Sequence, residues 1–149
     1  MKFAHLAKLT VFSYEHENIE QVLKAFLGFF PFSQENKVQL KKSSAEGFND
    51  RKIAIFEAVL TKTNLVNEFL ENLLNNLSKE QKEQLSGEAE SRLDKNLDFF
   101  IRFDKDEWIN GKKLELTDSG RCFHLKISVA AFPKKRENAL KAVKEMFLK

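Results

Sequence analysis

Thr117-Asp118-Ser119-Gly120, then Cys122-Phe123-His124-Leu125-Lys126-Ile127-Ser128-Val129-Ala130-Ala131, then Phe132-Pro133-Lys134-Lys135-Arg136: this run, with the tail to Lys149, decides the fold. The first four residues are turn formers. Cys122 to Ala131 alternates with the period of a strand, burying Phe123, Leu125, Ile127 and Val129 and showing His124, Lys126 and Ser128. Beyond Pro133 the period lengthens. Leu140, Val143 and Phe147, flanked by Ala139 and Met146, make one helical stripe. A strand therefore feeds an amphipathic helix, and Lys134, Lys135 and Arg136 stand at the junction.

Upstream, the same two periods recur. Residues 4 to 14 alternate, with Ala7, Leu9 and Val11 on one side and Lys8, Thr10 and Phe12 on the other. Residues 18 to 30 are helical through Ile19, Val22, Leu23, Phe26, Leu27 and Phe30, and Pro31 stops them. Lys37 to Lys42 alternates with Val38 and Leu40 inward, and Ser43 to Asp50 reads as a loop. Lys52 to Leu60 is the most apolar strand, which argues for a central place. Leu65 to Leu77 carries a clean helical stripe, and Ser78 with Gln81 forms a capping box that restarts a polar helix toward Arg92. Leu97 to Phe103 is a strand. Asp104 to Ile109 fits either a short helix or the start of a hairpin turning at Asn110-Gly111, with Lys113 to Leu116 as a short strand. The two strand-to-helix ends, Tyr14 to Phe26 and Phe132 to Val143, read as a degenerate repeat or as two ordinary βα units.

This element order predicts an α/β (α+β) fold, a mostly antiparallel sheet with helices packed on one face. The 149 residues suit a single domain, 1–149, large enough to bury about 70% of its unfolded surface. Fifteen Phe against one Tyr and one Trp predict a core built on Phe. One cysteine, Cys122, excludes an internal disulfide framework and a multi-cysteine zinc site, and fits a reducing compartment. No stretch approaches the ~20 apolar residues of a membrane span and no signal-peptide pattern opens the chain, so the cytoplasm is expected.

The net charge of +3 is too small to argue for nucleic acid, but the signs are segregated. Acids crowd Glu68 to Asp98, while cations gather at Lys37 to Lys42, Arg51-Lys52, Lys112-Lys113 and Lys134 to Arg136. Cations at a helix start oppose the helix dipole, and a local rule broken without evident gain points to anion binding. The uncovered sheet face is expected to show Lys8, Thr10, Phe12, Phe100, Arg102, His124 and Lys126, a mixture of cations and rings that suits phosphate contact and base stacking. Arg102 and Lys105 flank Asp104; Lys105 reads either as a phosphate contact or as an ion pair with Asp104, Asp106 or Glu107. Lys112, Lys113 and Arg121 bracket the hairpin and extend the patch. His5, His16 and His124 have no metal spacing, and Cys122 with His124 lacks a third partner for nucleophile chemistry. No catalytic motif, cofactor loop or metal site is expected.

These residues also resemble an archaeal family of predicted RNA-binding proteins, often described as exosome-associated. The likeness rests on Val59-Leu60-Thr61-Lys62, Arg102-Phe103-Asp104-Lys105, Leu116-Thr117-Asp118-Ser119-Gly120 and, most strongly, Ala131-Phe132-Pro133-Lys134-Lys135-Arg136-Glu137-Asn138-Ala139-Leu140. It runs from about His5 onward. The resemblance implies a fold like that of ribosomal protein L5, RNA as partner, and a role near RNA processing or degradation. Trp108 departs from the small residue of the family pattern, and Asn49-Asp50-Arg51 departs from its Gly-Asn-Pro. The expectation is a non-catalytic RNA-binding protein whose backbone-phosphate contacts are Lys134, Lys135, Arg136, Arg102, Lys105, Arg121, Lys126, Lys8, Lys112 and Lys113. The alternative is a protein-interaction or dimerisation subunit that uses the open sheet face or the polar helix from Ser78.

Overall fold

The computed structural model describes residues 2–31, 40–46 and 52–148. Its strands are β1 (Ala4–Tyr14), β2 (Leu40–Glu46), β3 (Lys52–Leu60), β4 (Asp98–Asp104) and β5 (Cys122–Val129). Its helices are α1 (Ile19–Leu27), α2 (Thr63–Asn76), α3 (Lys79–Gly87), α4 (Ala89–Arg92), α5 (Lys105–Gly111) and α6 (Arg136–Phe147). The strands form one open antiparallel sheet in the order β2-β3-β1-β5-β4. The fold is α+β, as the alternation of periods predicts.

Local chemistry sets most element ends. Asn18 caps α1 by accepting from the amides of Glu20 and Gln21, both at 3.1 Å. The helix closes at Gly28, ahead of the proline expected to stop it. The Ser78–Gln81 capping box is present in both directions and opens α3. The polar helix expected to run on to Arg92 breaks at Glu88, directly after Gly87, and resumes as the single turn of α4.

Several expectations need correction. β3 is not the middle strand; that place belongs to β1, whose alternate residues Ala7, Leu9 and Val11 are buried. β2 begins at Leu40 and runs through Ser43–Glu46, expected as loop, pairing Leu40 with Ala58 and Glu46 with Lys52. Leu40 is exposed rather than inward, because β2 is an edge strand with every residue open to solvent. The expected strand start at Lys37–Gln39, the loop residues Gly47–Asp50 and the cation Arg51 lie outside the described residues. Asn110-Gly111 makes no hairpin: Asp104 caps α5 by accepting from the Glu107 amide at 3.0 Å, and the helix runs through Gly111 to Lys112 in the left-handed region, φ 48°. The expected strand at Lys113–Leu116 reduces to one bridge, Phe103 to Leu116.

By compactness the chain divides into two units, each with its own core. One comprises Met1–Ala7, Leu60–Ile101 and Lys126–Lys149. There α3 and α4 pack on α6, and Phe99 meets Phe147 at 5.5 Å between ring centroids. In α6 it is Ala139, Val143, Met146 and Phe147 that are buried, while Leu140, expected at the centre of the stripe, is half-buried. The other unit comprises Lys8–Val59 and Arg102–Leu125. Its core is a phenylalanine cluster: Phe26 lies 6.3 Å from Phe56, and Phe29 lies 5.8 Å from Phe103 and 5.0 Å from Phe123.

Candidate nucleic-acid interface

In the first unit, β5 ends at Val129 and α6 begins at Arg136. The Lys135 amide donates to the Pro133 carbonyl at 2.8 Å, and the Asn138 side chain donates to the same oxygen at 2.9 Å. This short turn leaves Phe132 99% exposed, an aromatic ring with essentially no protein cover. Sequence reading singles out Phe12 and Phe100 as rings for flat contacts and passes over Phe132. The signal for it is a Phe-Pro step directly before three cations. Of the other two rings, Phe12 is 44% exposed and Phe100 is half-buried.

The three cations of the junction part company. Lys134 and Lys135 are exposed, and among the described residues neither ammonium has an ion-pair partner. Arg136 is exposed as well but already engaged: its guanidinium donates to the carbonyls of Glu90 at 2.7 Å, Leu93 at 3.0 Å and Asp94 at 3.5 Å. These oxygens lie at and just beyond the end of α4, so Arg136 serves as a cap for carbonyls that have no partner within that helix. Lys126 pairs with Asp98 at 3.7 Å, and Asp98 also accepts from Ser128 at 2.6 Å.

The second unit neutralises several of its cations. Lys105 is a correction to the expected phosphate set. Its side chain is 1% exposed and its ammonium donates to the Phe12 carbonyl and, at 2.8 Å, to Glu17. The ammonium also lies 5.1 Å from the centre of the Tyr14 ring. Its acidic partner is Glu17, none of the three neighbours expected. Arg121 donates to the other Glu17 oxygen at 2.6 Å and meets Asp106 at 3.2 Å, with half its side chain still open. Burial pushes the Glu17 carboxyl up, but the Lys105 hydrogen bond, the Tyr14 amide and the charges of Lys105 and Arg121 outweigh it and hold the carboxyl below its usual range.

Lys8 pairs with Glu57 at 3.1 Å and Lys113 with Glu115 at 3.4 Å. Arg102 is exposed, donating to the Asp118 carbonyl at 3.2 Å. Burial, together with the charges of Arg102 and Lys8, lowers the pKa of His124, so these three β-strand residues form one electrostatic group on the sheet. Burial pushes the Cys122 thiol up, against the charges of Arg102 and Lys105. Lys112 is exposed and has no ion-pair partner among the described residues. Among those residues no group of three or more His, Cys, Asp or Glu is placed to hold a metal, and no helix is long and apolar enough to cross a membrane.

Exposed cations and an open ring are the chemistry of polyanion contact. The chain is 34% identical over 143 residues to the RNA-binding protein PAB1135 of Pyrococcus abyssi (strain GE5 / Orsay), covering 95% of this chain and 92% of that one. Its fold is similar to the crystal structure of protein AF2318 from Archaeglobus fulgidus, with a TM-score of 0.84 and 27% identity over 96% of this chain and 99% of that one. It is also similar to Mth689, a DUF54 protein from Methanothermobacter thermautotrophicus, with a TM-score of 0.77 and 26% identity over 97% and 98% of the two chains. Residues 7–129 match the family model described as RNA binding, and with most of its length inside that match the chain belongs to this RNA-binding family.

Proposed function

We propose that this chain is a non-catalytic RNA-binding protein, acting as one domain over residues 1–149 in the cytoplasm, that meets the RNA backbone with Lys134, Lys135, Arg102 and Lys112 and stacks a base on Phe132. The observation that carries this reading is the junction before α6, where a wholly exposed ring adjoins two ammonium groups without an ion-pair partner among the described residues, in a chain of an RNA-binding family. A ring with no protein cover gains nothing for the fold, and every base has a face that can stack on it. Lys8, Lys113, Lys126 and Arg121 belong to a weaker tier. The exposed Lys113–Glu115 pair is worth roughly 0–1 kcal/mol, so a phosphate can exchange for that carboxylate, whereas the partners of Lys8, Lys126 and Arg121 are more sheltered and compete harder. Lys105 and Arg136 hold the fold instead.

A place in RNA processing or degradation, with the exosome as assembly partner and a fold akin to ribosomal protein L5, is the extension that the family resemblance supports. Anisotropy of a fluorescent single-stranded RNA, titrated across a range of salt, tests the core reading. Lys134→Ala with Lys135→Ala should flatten the slope of log affinity against log salt by roughly 0.7 for each phosphate the protein no longer neutralises. Absence of binding by the unaltered protein at low salt would overturn the reading, and a dimer by light scattering in that case would favour the protein-interaction alternative.

A further inference from the structure

Around Lys112, one of the proposed RNA contacts, the second unit holds a cleft between α1 and α5, about 230 Å³ in volume, lined by Gln21, Lys24, Gly28, Trp108 and Lys112 among others. Trp108 shapes it. The indole N–H donates to the Ala25 carbonyl at 2.7 Å, and the ring lies 4.4 Å from Phe29. Gly28 lies beside the indole: a Cβ there would approach the Ala25 oxygen tightly, at 3.2 Å, and would make ordinary contact with Trp108 Cζ2 at 3.8 Å. The indole thus pins α5 to α1 and forms a fixed wall.

Two cations border that wall. Lys24 and Lys112 are exposed, and among the described residues no carboxylate pairs with either. This sets them apart from Lys8, Lys105, Lys113 and Arg121, all of which have acidic partners in the same unit. An adjoining shallower hollow shares Lys24, Gly28 and Lys112 and has Glu20 on its rim. Glu20 lies in the first turn of α1, where a carboxylate is favoured by the helix dipole. Lys112 occupies its place at a conformational cost, since φ 48° suits glycine or asparagine far better than lysine.

We propose that Lys24, Lys112 and Gln21 form a phosphate-binding point. Pockets that enclose a whole small molecule measure about 300–1,000 Å³, so the cleft of about 230 Å³ takes a group, and the adjoining open hollow of about 500 Å³ leaves room for what that group is attached to. Two ammonium groups and a side-chain amide supply the donors that a phosphate accepts from. The assignment rests on the RNA-binding reading for its preferred source, a phosphate of an RNA strand; a free 5′-mononucleotide offers the same group.

Trp108 is the chain's single tryptophan, so its emission reports on this cleft alone. The test titrates intrinsic fluorescence with inorganic phosphate, with 5′-AMP and with a 5′-phosphorylated single-stranded oligoadenylate, while anisotropy of a labelled RNA is followed in parallel. The expected result is a saturable emission change with the oligonucleotide, lost in Lys24→Ala/Lys112→Ala, whose RNA affinity falls several-fold while its melting temperature holds. A change with 5′-AMP of equal size, lost in the same variant, supports the site and identifies the free nucleotide as source. Unmoved emission with all three probes, or an unchanged response in the variant, overturns the cleft; labelled RNA still binding in that case leaves the RNA reading standing, and its failure to bind removes both.

Discussion

The Glu17 carboxylate holds the Lys105 ammonium at 2.8 Å across 88 residues of chain, with Lys105 1% exposed and Glu17 7% exposed. The same carboxylate reaches Arg121, so one buried acid ties the β1–α1 connection both to the start of α5 and to the start of β5. Such a pair returns little net stability over an apolar replacement, but half of it is worse than none.

Glu17→Gln should therefore cost about 3–5 kcal/mol, because it strands a buried ammonium. Glu17→Met combined with Lys105→Met should lose less than the single change. Urea unfolding of the three proteins checks this, and strictly additive losses would show that the two groups act independently.

Acid should lower the protein's stability in two stages. The folded pKa of His124 lies below its unfolded value of about 6.5, so the unfolded chain binds the proton first; the stability is complete above that value and is lost as pH falls toward the folded pKa. Glu17 is also depressed, and its contribution is complete above roughly pH 4.3 and lost as pH falls further. Melting temperature against pH should show the upper stage vanish in His124→Gln and the lower in Glu17→Gln. A profile in His124→Gln identical to that of the parent between pH 7 and 5 would contradict the first assignment.

Arg136 and its neighbours should separate. Arg136→Ala removes donors from the carbonyls of Glu90, Leu93 and Asp94 and should destabilise by roughly 1–2 kcal/mol, solvent weakening the charge-assisted bonds. Lys134→Ala and Lys135→Ala should stay within about 0.5 kcal/mol of the parent. Thermal melts of the three single variants give the answer directly.

Phe132→Ala should leave stability within about 0.5 kcal/mol, the ring being 99% exposed. Its effect on single-stranded RNA should be large, about 1–3 kcal/mol of binding for one missing stack. Duplex RNA, whose bases are not free to stack on protein, should bind nearly as before. Equal losses for the two ligands would rule out stacking as the role of the ring.

Where chemistry is local, the sequence is readable. Ser78 and Gln81 are three residues apart and their capping box is legible on sight. The alternation of Phe123, Leu125, Ile127 and Val129 places β5 within two residues of its observed end. Helix α5 is legible too, through Asp104 with Glu107 three positions on, but the Asn110-Gly111 step argues for a turn and masks it. What periodicity does not carry is partnership at a distance. Lys105 sits among the acids Asp104, Asp106 and Glu107, yet it bonds Glu17, which only the folded chain brings near. Arg136 looks like its two lysine neighbours until the carbonyls at the end of α4 come within reach of its fork. Phe132 is passed over because it stands outside the alternating and helical stripes, in the short connection between β5 and α6, where periodicity assigns no face.

Cys122 stands half-buried with its thiol held in the protonated form, and protonated thiols alkylate slowly. Near neutral pH a second cysteine installed at position 134 or 135 would outcompete it for maleimide. A dye or photocrosslinker can thus be mounted beside the proposed docking point without first removing the native sulfur.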